Sequence, residues 1–178
     1  MAGWDLTPKP VSASQVTLVQ LMEVADANLA GIAHGGSIMK LVDTAAGLAA
    51  IKHCGGLAVT VAMDEMSFLA PVRIGDIVTV RASVNDVGKT SMEVGVRVEA
   101  ENAVTGRRTH TGSAYLVYVA IDNTGKPRPV PPVTAETPMQ ERRKREAKIR
   151  QQKRLAHKQA IREHRERVAH EESGEGDR

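Results

Sequence analysis

The residues most able to do chemistry lie in one short segment from Asn28 to Asp43, which reads NLAGIAHGGSIMKLVD. Gly35 and Gly36 stand where a helix is expected to begin, and a helix N-terminus offers unpaired backbone N–H groups and a partial positive charge. Because glycine has no Cβ, a ligand can approach these groups closely. The pattern suits a phosphate, or the oxyanion that forms when a carbonyl group is attacked. Asn28 adds an amide that can donate a hydrogen bond or orient a water molecule at the same opening.

Asp43 supplies a carboxylate, but it lies eight residues beyond Gly35, which corresponds to about 12 Å along a helix axis. One carbonyl group cannot contact both residues of the same chain, so a shared site requires Asp43 from a second subunit. The spacing therefore predicts a dimer whose two central helices run side by side. The same residues also fit a structural interpretation, in which the glycines form a tight entry turn and Asp43 caps or pairs locally.

Other reactive side chains lack the partners that catalysis requires. His34 precedes the glycines, and a histidine that only hydrogen-bonds the turn is the more common case. His53 and Cys54 are neighbours on the expected helix, where they point about 100° apart and have no third group to orient them. The sequence shows no metal-ligand spacing, phosphate-binding loop or dinucleotide fingerprint. We therefore expect neither a metal nor a cofactor.

The elements that must position these residues follow from the hydrophobic pattern. Segment 37–52 is apolar on most sides, which predicts a helix buried all round, and the residues His53 to Gly56 suit its end. Strands are expected at 14–22, 57–72, 77–87, 91–101 and 109–122. Because short turns such as Gly75–Asp76 and Gly88–Lys89 join the later strands, they predict an antiparallel meander. The sequence therefore predicts an α+β fold in which the sheet wraps around one helix.

Composition divides the chain into a body and a tail. The 178 residues are 42% hydrophobic, include one cysteine, and contain no apolar run of the roughly 18 residues that a spanning helix needs. These properties predict a cytoplasmic protein that does not associate with membranes. Residues 1–138 hold 11 Lys/Arg and 13 Asp/Glu, a net charge of −2. Residues 139–178 hold 13 Lys/Arg and 8 Asp/Glu, a net charge of +5, so the basic character belongs to the tail.

The tail predicts a single solvated helix, because its apolar residues are too sparse for a coiled-coil seam. Opposite charges at helical spacing support it, in the pairs Glu141–Arg145, Glu146–Arg150 and Glu163–Arg167. Such a basic helix could contact nucleic acid, although no aromatic residue interrupts it to stack on bases. A solubilising extension is the interpretation that the pattern favours.

The pattern Asn28-x2-Gly31-x3-Gly35-Gly36-x6-Asp43 resembles the active-site segment of hotdog-fold acyl-CoA thioesterases, the cytosolic acyl-CoA hydrolase type. The resemblance continues in the same order through MSFLAPVRIGD (66–76), VGKTSMEV (87–94), ENAVTG (101–106) and AYLVYVAID (114–122). It covers residues 14–133 and implies a hotdog domain there. Outside the resemblance, composition predicts a leader at 1–13 and a charged helical or disordered tail at 134–178.

The resemblance implies that a fatty acyl-CoA thioester is hydrolysed at a dimer interface. Asp43 of one subunit would activate a water molecule or attack the thioester directly. Gly35 or Gly36 of the other subunit would donate to the oxyanion, with Asn28 nearby as a donor or water-holder. Thr60 would be a second water ligand by resemblance, or else an ordinary strand threonine.

Coenzyme A, as part of the substrate, would lie across the hairpin at residues 88–91. The resemblance implies that Lys89 meets a phosphate and that backbone around Gly88, Thr90 and Ser91 holds the pantetheine arm. The adjacent wall would be lined by Ser67, Phe68 and Leu69. One domain carries both Asn28 and Asp43, which predicts equivalent sites in a homo-oligomer, at least a dimer; trimers of dimers are common among relatives.

Two other functions fit the same fold. A non-catalytic acyl-CoA-binding regulator is the main alternative, and Asp43 argues against it because a binder has little reason to place a carboxylate near a thioester. A hydratase or dehydratase would need a histidine paired with a carboxylate on the central helix, and segment 37–52 contains no histidine.

Overall fold

The structure is a computed structural model that describes residues 4–174, with side chains to residue 169. Residues 1–3 of the expected leader and 175–178 of the expected tail lie outside it. In chain order the elements are β1 (Lys9–Pro10), β2 (Val16–Leu21), α1 (Gly35–Cys54), β3 (Ala58–Phe68), β4 (Asp76–Val87), β5 (Ser91–Asn102), β6 (Arg108–Ala120), β7 (Val133–Thr134) and α2 (Pro138–Gly174). Short 3-10 turns span Val11–Ser14 and Val24–Asp26. No helix in residues 4–174 has the length and hydrophobicity needed to cross a membrane.

The main sheet is antiparallel, has the order β2-β4-β5-β6-β3, and packs one face against α1. The helix side of this core consists of small residues, which let the helix lie close to the strands: Val42, Ala45, Ala46, Ala49 and Ala50, all fully buried. The sheet side is built from valines, including Val78, Val84, Val94 and Val98. Burying this aliphatic surface supplies most of the stabilisation of the fold. The predicted α+β fold, with a sheet around one helix, is confirmed.

The predicted helix is confirmed and is two residues longer at each end, because its caps lie just outside the apolar stretch. His34 is the N-cap, and Gly55 ends the helix in the left-handed conformation at φ +66° while its N–H donates to the Ile51 carbonyl. The expectation that the helix is buried all round is wrong for the single chain. One sheet can cover only one side of a helix, so Met39, Asp43 and Leu48 remain exposed on the other.

The predicted meander is confirmed for β4, β5 and β6 but wrong for β3, which pairs with β6 at the far edge of the sheet. The strand ends at Phe68 instead of Val72. Residues 69–75 then pass beside the entrance of α1, where the Ala33 N–H donates to the Val72 carbonyl. Gly75, at φ +90°, turns the chain into β4. The glycine turn therefore ends a crossing segment and does not form a β3–β4 hairpin.

The C-terminal helix is confirmed, but its first part is not solvated as predicted. Ala147 is buried, and the Arg150 guanidinium lies 2.6 Å from Glu93 on β5 and 3.6 Å from the Tyr115 ring centroid. Arg154 forms an ion pair with Asp64 on β3. The helix packs on the sheet through arginines and one alanine. The sparse apolar residues, on which the prediction of a solvated helix was based, therefore did not indicate this contact. Residues 155–167 are exposed, as expected of a solvated extension.

Candidate active site

Asp43 lies in the middle of α1 and accepts hydrogen bonds from two hydroxyl groups of the same chain. Thr60 Oγ1 donates to Asp43 Oδ1 at 2.8 Å, and the Tyr118 hydroxyl lies 2.7 Å from the same oxygen. The Tyr118 hydroxyl also lies 2.9 Å from the backbone carbonyl of Asp43. Both contacts on the carboxylate therefore converge on Oδ1. Thr60 was expected near this site, whereas Tyr118 was not identified from the sequence.

The β3–β6 pairing explains why these two hydroxyls meet. Thr60 on β3 is the direct partner of Tyr118 on β6, and residues opposite each other in an antiparallel pair project on the same face of the sheet. A register shift follows immediately, between Thr60 and Ala62. Gly47, one turn after Asp43, faces the tyrosine, since a Cβ there would lie at an ordinary contact distance of 3.6 Å from the Tyr118 ring. The tyrosine thus packs directly against the helix backbone.

Tyr118 is 2% exposed, and this burial is the main reason why the pKa of its phenol is raised well above the ordinary value. The neighbouring Asp43 carboxylate raises the pKa further, while a hydrogen bond from Thr60 opposes the shift. Burial and the adjacent negative charge both disfavour the phenolate. Tyr118 is therefore a neutral hydrogen-bond donor throughout the physiological pH range.

A second group of residues surrounds a cavity of about 360 Å³ at the N-terminus of α1. Asn28 and Gly35 face it together with Phe68 and Leu69, and its remaining lining is aliphatic: Ile32, Ala33, Ile38, Ala70, Pro71 and Val72. The Asn28 side-chain oxygen accepts from the N–H groups of Ala30 at 2.9 Å and Ile32 at 3.4 Å. This turn occupies the oxygen, so the NH₂ end of the amide is the one available to a ligand.

The two glycines at the helix start are not equivalent. The Gly36 N–H donates to Nδ1 of His34 at 2.8 Å, whereas the Gly35 N–H has no acceptor within residues 4–174. His34 therefore caps the helix, and Gly35 is the better candidate for an oxyanion donor. A Cβ on Gly35 would lie 3.4 Å from the Phe68 ring. The aromatic ring thus forms one wall directly beside the available N–H.

His53 and Cys54 lie at the other end of α1 and are both buried. His53 Nε2 is 2.9 Å from the Pro131 carbonyl, and Cys54 donates to the Gly56 carbonyl at 3.2 Å. Burial lowers the pKa of His53 below its ordinary value, despite the hydrogen bond to Pro131. Both side chains are thus engaged with local backbone and do not join the Asp43 cluster.

The residues expected to hold coenzyme A occupy a third region. Gly88 and Ser91 close the β4–β5 hairpin, the Gly88 N–H donating to the Ser91 carbonyl at 2.8 Å, and Lys89 is exposed. The Thr90 carbonyl accepts from Ala120 N–H. Helix α2 flanks this hairpin, since a Cβ on Gly88 would lie 3.9 Å from the Gln151 amide. That proximity was not expected from the sequence.

Ser67 does not line the cavity, although the two residues that follow it do. Its hydroxyl donates to Glu65 at 3.2 Å on the same strand, whereas Phe68 and Leu69 line the cavity. One chain therefore brings together Asn28, Gly35, Phe68 and Leu69, and separately Asp43 and Thr60. The hairpin residues stand apart from both groups.

Several known proteins match this chain in sequence and structure. The family model described as thioesterase superfamily matches residues 30–107. A solved apo-hexameric acyl-CoA thioesterase superposes with a TM-score of 0.83 at 35% identity, covering 85% of this chain and 97% of that one. A Staphylococcus aureus acyl-CoA hydrolase, solved in complex with butyryl coenzyme A, coenzyme A and coenzyme A disulfide, gives a TM-score of 0.82 at 30% identity, covering 90% and 98%.

The mouse cytosolic acyl coenzyme A thioester hydrolase is 37% identical over 149 residues, which is 82% of this chain. The chain spans 39% of the length of that relative. Both solved structures are matched over nearly their whole length. The chain therefore belongs to the hotdog-fold acyl-CoA thioesterase family.

Proposed function

We propose that this protein hydrolyses fatty acyl-CoA to a free fatty acid and coenzyme A. The observation that carries the proposal is the arrangement at Asp43, where both hydroxyl donors bond Oδ1. Oδ2 is consequently the oxygen available to a water molecule or to the thioester carbon. The names of the mouse and Staphylococcus aureus relatives support the same reaction.

The complete site requires two copies of the chain. Helix α1 begins at Gly35, so Asp43 lies about 12 Å along the axis from the Gly35 N–H of its own chain. The uncovered face of α1 carries Met39 and Leu48, each 41% exposed, and β3 is an edge strand whose outer side is unpaired within residues 4–174. Exposed apolar surface and an open edge strand both favour association. These features support the dimer inferred from the spacing, and we propose that its two copies pair through β3 and α1.

In such a dimer the reaction has two possible routes that use the same groups. In the first, Asp43 takes a proton from water as the hydroxide adds to the thioester carbonyl. In the second, Oδ2 attacks the carbonyl and the C–S bond breaks, which gives a mixed anhydride and the thiolate of coenzyme A. Water then hydrolyses the anhydride, releasing the fatty acid and restoring the Asp43 carboxylate. In both, the Gly35 N–H and Asn28 NH₂ of the partner would stabilise the oxyanion. In the first route the C–S bond breaks after the hydroxide has added. In either route the departing thiolate of coenzyme A takes up a proton.

The remaining assignments concern substrate binding. We propose that Lys89 contacts a phosphate of coenzyme A and that Gly88, Thr90 and Ser91 hold the pantetheine arm. Ser67 would line the wall beside coenzyme A, while Phe68 and Leu69 would line the apolar cavity beside the thioester. We further propose a cytoplasmic location, which the name of the mouse relative supports.

The test is release of free thiol from acyl-CoAs of short to long chain, with the wild type and Asp43→Asn. Loss of the carboxylate should lower kcat by about 10²- to 10⁴-fold. Asp5→Asn, an exposed residue near the N-terminus, is the matched control and should keep wild-type turnover. Equal turnover in Asp43→Asn would contradict the assignment of this residue. Acyl-CoA binding without turnover in the wild type would instead support the regulator.

A further inference from the structure

We propose that Tyr118 is a positioning residue that fixes the orientation of the Asp43 carboxylate. This inference rests on the proposed function, since it concerns how the same carboxylate is held for hydrolysis. It starts from the two contacts of one hydroxyl group, 2.7 Å to Oδ1 and 2.9 Å to the backbone carbonyl of the same aspartate. Rotation of the Asp43 side chain would break the first contact while the second stayed in place.

The contact with the carboxylate exceeds what a buried tyrosine requires. A buried phenol needs one hydrogen-bond partner, and the backbone carbonyl of Asp43 would satisfy that requirement alone. The structure instead places the hydroxyl where it can also donate to Oδ1. A hydrogen bond to a charged group is shorter and stronger than a neutral one. The geometry thus serves the orientation of Asp43 as well as the packing of Tyr118.

Thr60 completes the arrangement from the neighbouring strand. Its hydroxyl donates to the same oxygen at 2.8 Å, so Oδ1 lies between two donors that the β3–β6 pairing holds opposite each other. Because Oδ1 is held by two donors, rotation of the carboxylate is restricted, and Oδ2 points in one fixed direction. A carboxylate held in a defined orientation loses less entropy when it meets the water or the thioester.

The other tyrosine of the chain provides a matched control. Tyr115 lies on the same strand three residues earlier, on the outer face of the sheet, where its ring contacts the Arg150 guanidinium. Both Tyr115→Phe and Tyr118→Phe remove one phenolic oxygen from β6. Only the second removes a donor from Asp43.

The measurement is steady-state thiol release for wild type, Tyr118→Phe and Tyr115→Phe, with thermal unfolding of each. Tyr118→Phe should lower kcat by about 10- to 100-fold, as expected for the loss of a hydrogen bond to a charged group. Its KM should stay within about twofold of the wild type, because the hydroxyl does not contact the substrate. Tyr115→Phe should keep the wild-type kcat. An unchanged kcat in Tyr118→Phe, or an equal loss in both variants, would overturn the proposal.

A double-variant cycle separates positioning from general destabilisation. In the Asp43→Asn background no carboxylate remains to be oriented, so adding Tyr118→Phe should lower the residual kcat less than twofold. An undiminished effect in that background would show that Tyr118 acts elsewhere and would overturn the inference. The wild type in the same assay tests the proposed function itself. Absent turnover there overturns both proposals, whereas a normal wild type with an unaffected Tyr118→Phe overturns this one alone.

Discussion

The two groups of candidate site residues are built in different ways. At the start of α1, Gly35 and Asn28 are set by local structure, namely a helix cap and a turn that the Asn28 oxygen closes on the next residues. In the middle of α1, Asp43 depends on Thr60 and Tyr118, which reach it from two strands distant in sequence. The first group offers N–H donors to a ligand, and the second fixes a carboxylate. Local turns therefore position the N–H donors, and strand register positions the two hydroxyls that hold the Asp43 carboxylate.

This difference predicts how each group responds to substitution. Removing a local donor deletes a group that would contact the substrate, so the expected effect on turnover is large. Removing a hydroxyl from β3 or β6 leaves Asp43 present but less well oriented, so the expected effect is smaller. A larger loss of turnover in the Thr60 or Tyr118 variants than in the Asn28 variant would contradict this difference between the two groups.

Asn28→Asp tests the local group most strongly. An aspartate oxygen can still accept from the Ala30 and Ile32 N–H groups, so the turn should be retained, while the NH₂ donor is replaced by a negative charge. We expect kcat to fall by about 10²- to 10³-fold, as for removal of an oxyanion donor. Asn123→Asp, in the exposed turn after β6, is the control and should be silent in the same thiol-release assay. A loss of less than tenfold would argue against Asn28 as a donor.

Thr60→Val tests the group set by register. Valine keeps the shape and strand propensity of threonine but cannot donate to Oδ1. We expect kcat to fall about tenfold, with Thr60→Ser, which retains the hydroxyl, close to the wild type. If Thr60 were an ordinary strand threonine, both variants would keep full turnover. A parallel series of thermal unfolding curves shows whether any loss comes from stability.

The sequence predicts the locally determined residues at the start of α1 better than the residues that strand pairing brings to Asp43. The helix at 37–52 was located within two residues at each end, because its apolar run, the glycines on either side and His53 at its end are local signals. Asn28, Gly35 and Asp43 were singled out as candidates for the same reason, since they lie in one short segment. Tyr118 was not identified, because nothing near it in sequence shows that β6 pairs with β3.

Two errors in the predicted fold share a physical cause. The strand β3 was expected beside β4 because the connection looked like a turn, whereas residues 69–75 cross beside α1 and send β3 to β6. Helix α2 was expected in solvent because its apolar residues are sparse, whereas Arg150 and Arg154 dock it through Glu93 and Asp64. Strand order and long-range ion pairs depend on contacts between distant segments, which composition and periodicity do not record.

The two glycines at the helix start give a finer test of the local group. A Cβ on Gly36 would lie 2.8 Å from His34 Nδ1 and would displace the cap, whereas a Cβ on Gly35 meets Phe68 at an ordinary 3.4 Å. Gly36→Ala should therefore reduce the free energy of unfolding by about 1 kcal/mol, the usual cost of a lost N-cap. Gly35→Ala should leave stability nearly unchanged but hinder ligand approach to its N–H, lowering kcat/KM. Denaturant titration and thiol release distinguish the two; equal destabilisation would contradict the assigned roles.

The smallest effect is expected at the C-terminal end of α1, where His53 is buried and does not contact the Asp43 cluster. Its Nε2 pairs with the Pro131 carbonyl, and within residues 4–174 its Nδ1 has no hydrogen-bond partner, so a second proton would reside on an unpartnered buried nitrogen. Burial lowers the pKa of His53 in the folded state below that of the unfolded chain, near 6.5. The unfolded state then binds more protons as the pH falls through about 6.5, and folding stability decreases. We expect a lower denaturant midpoint at about pH 5 than at about pH 7.5, and a smaller difference in His53→Gln, whose amide can still donate to Pro131. A pH dependence of equal size in both proteins would assign it to other groups.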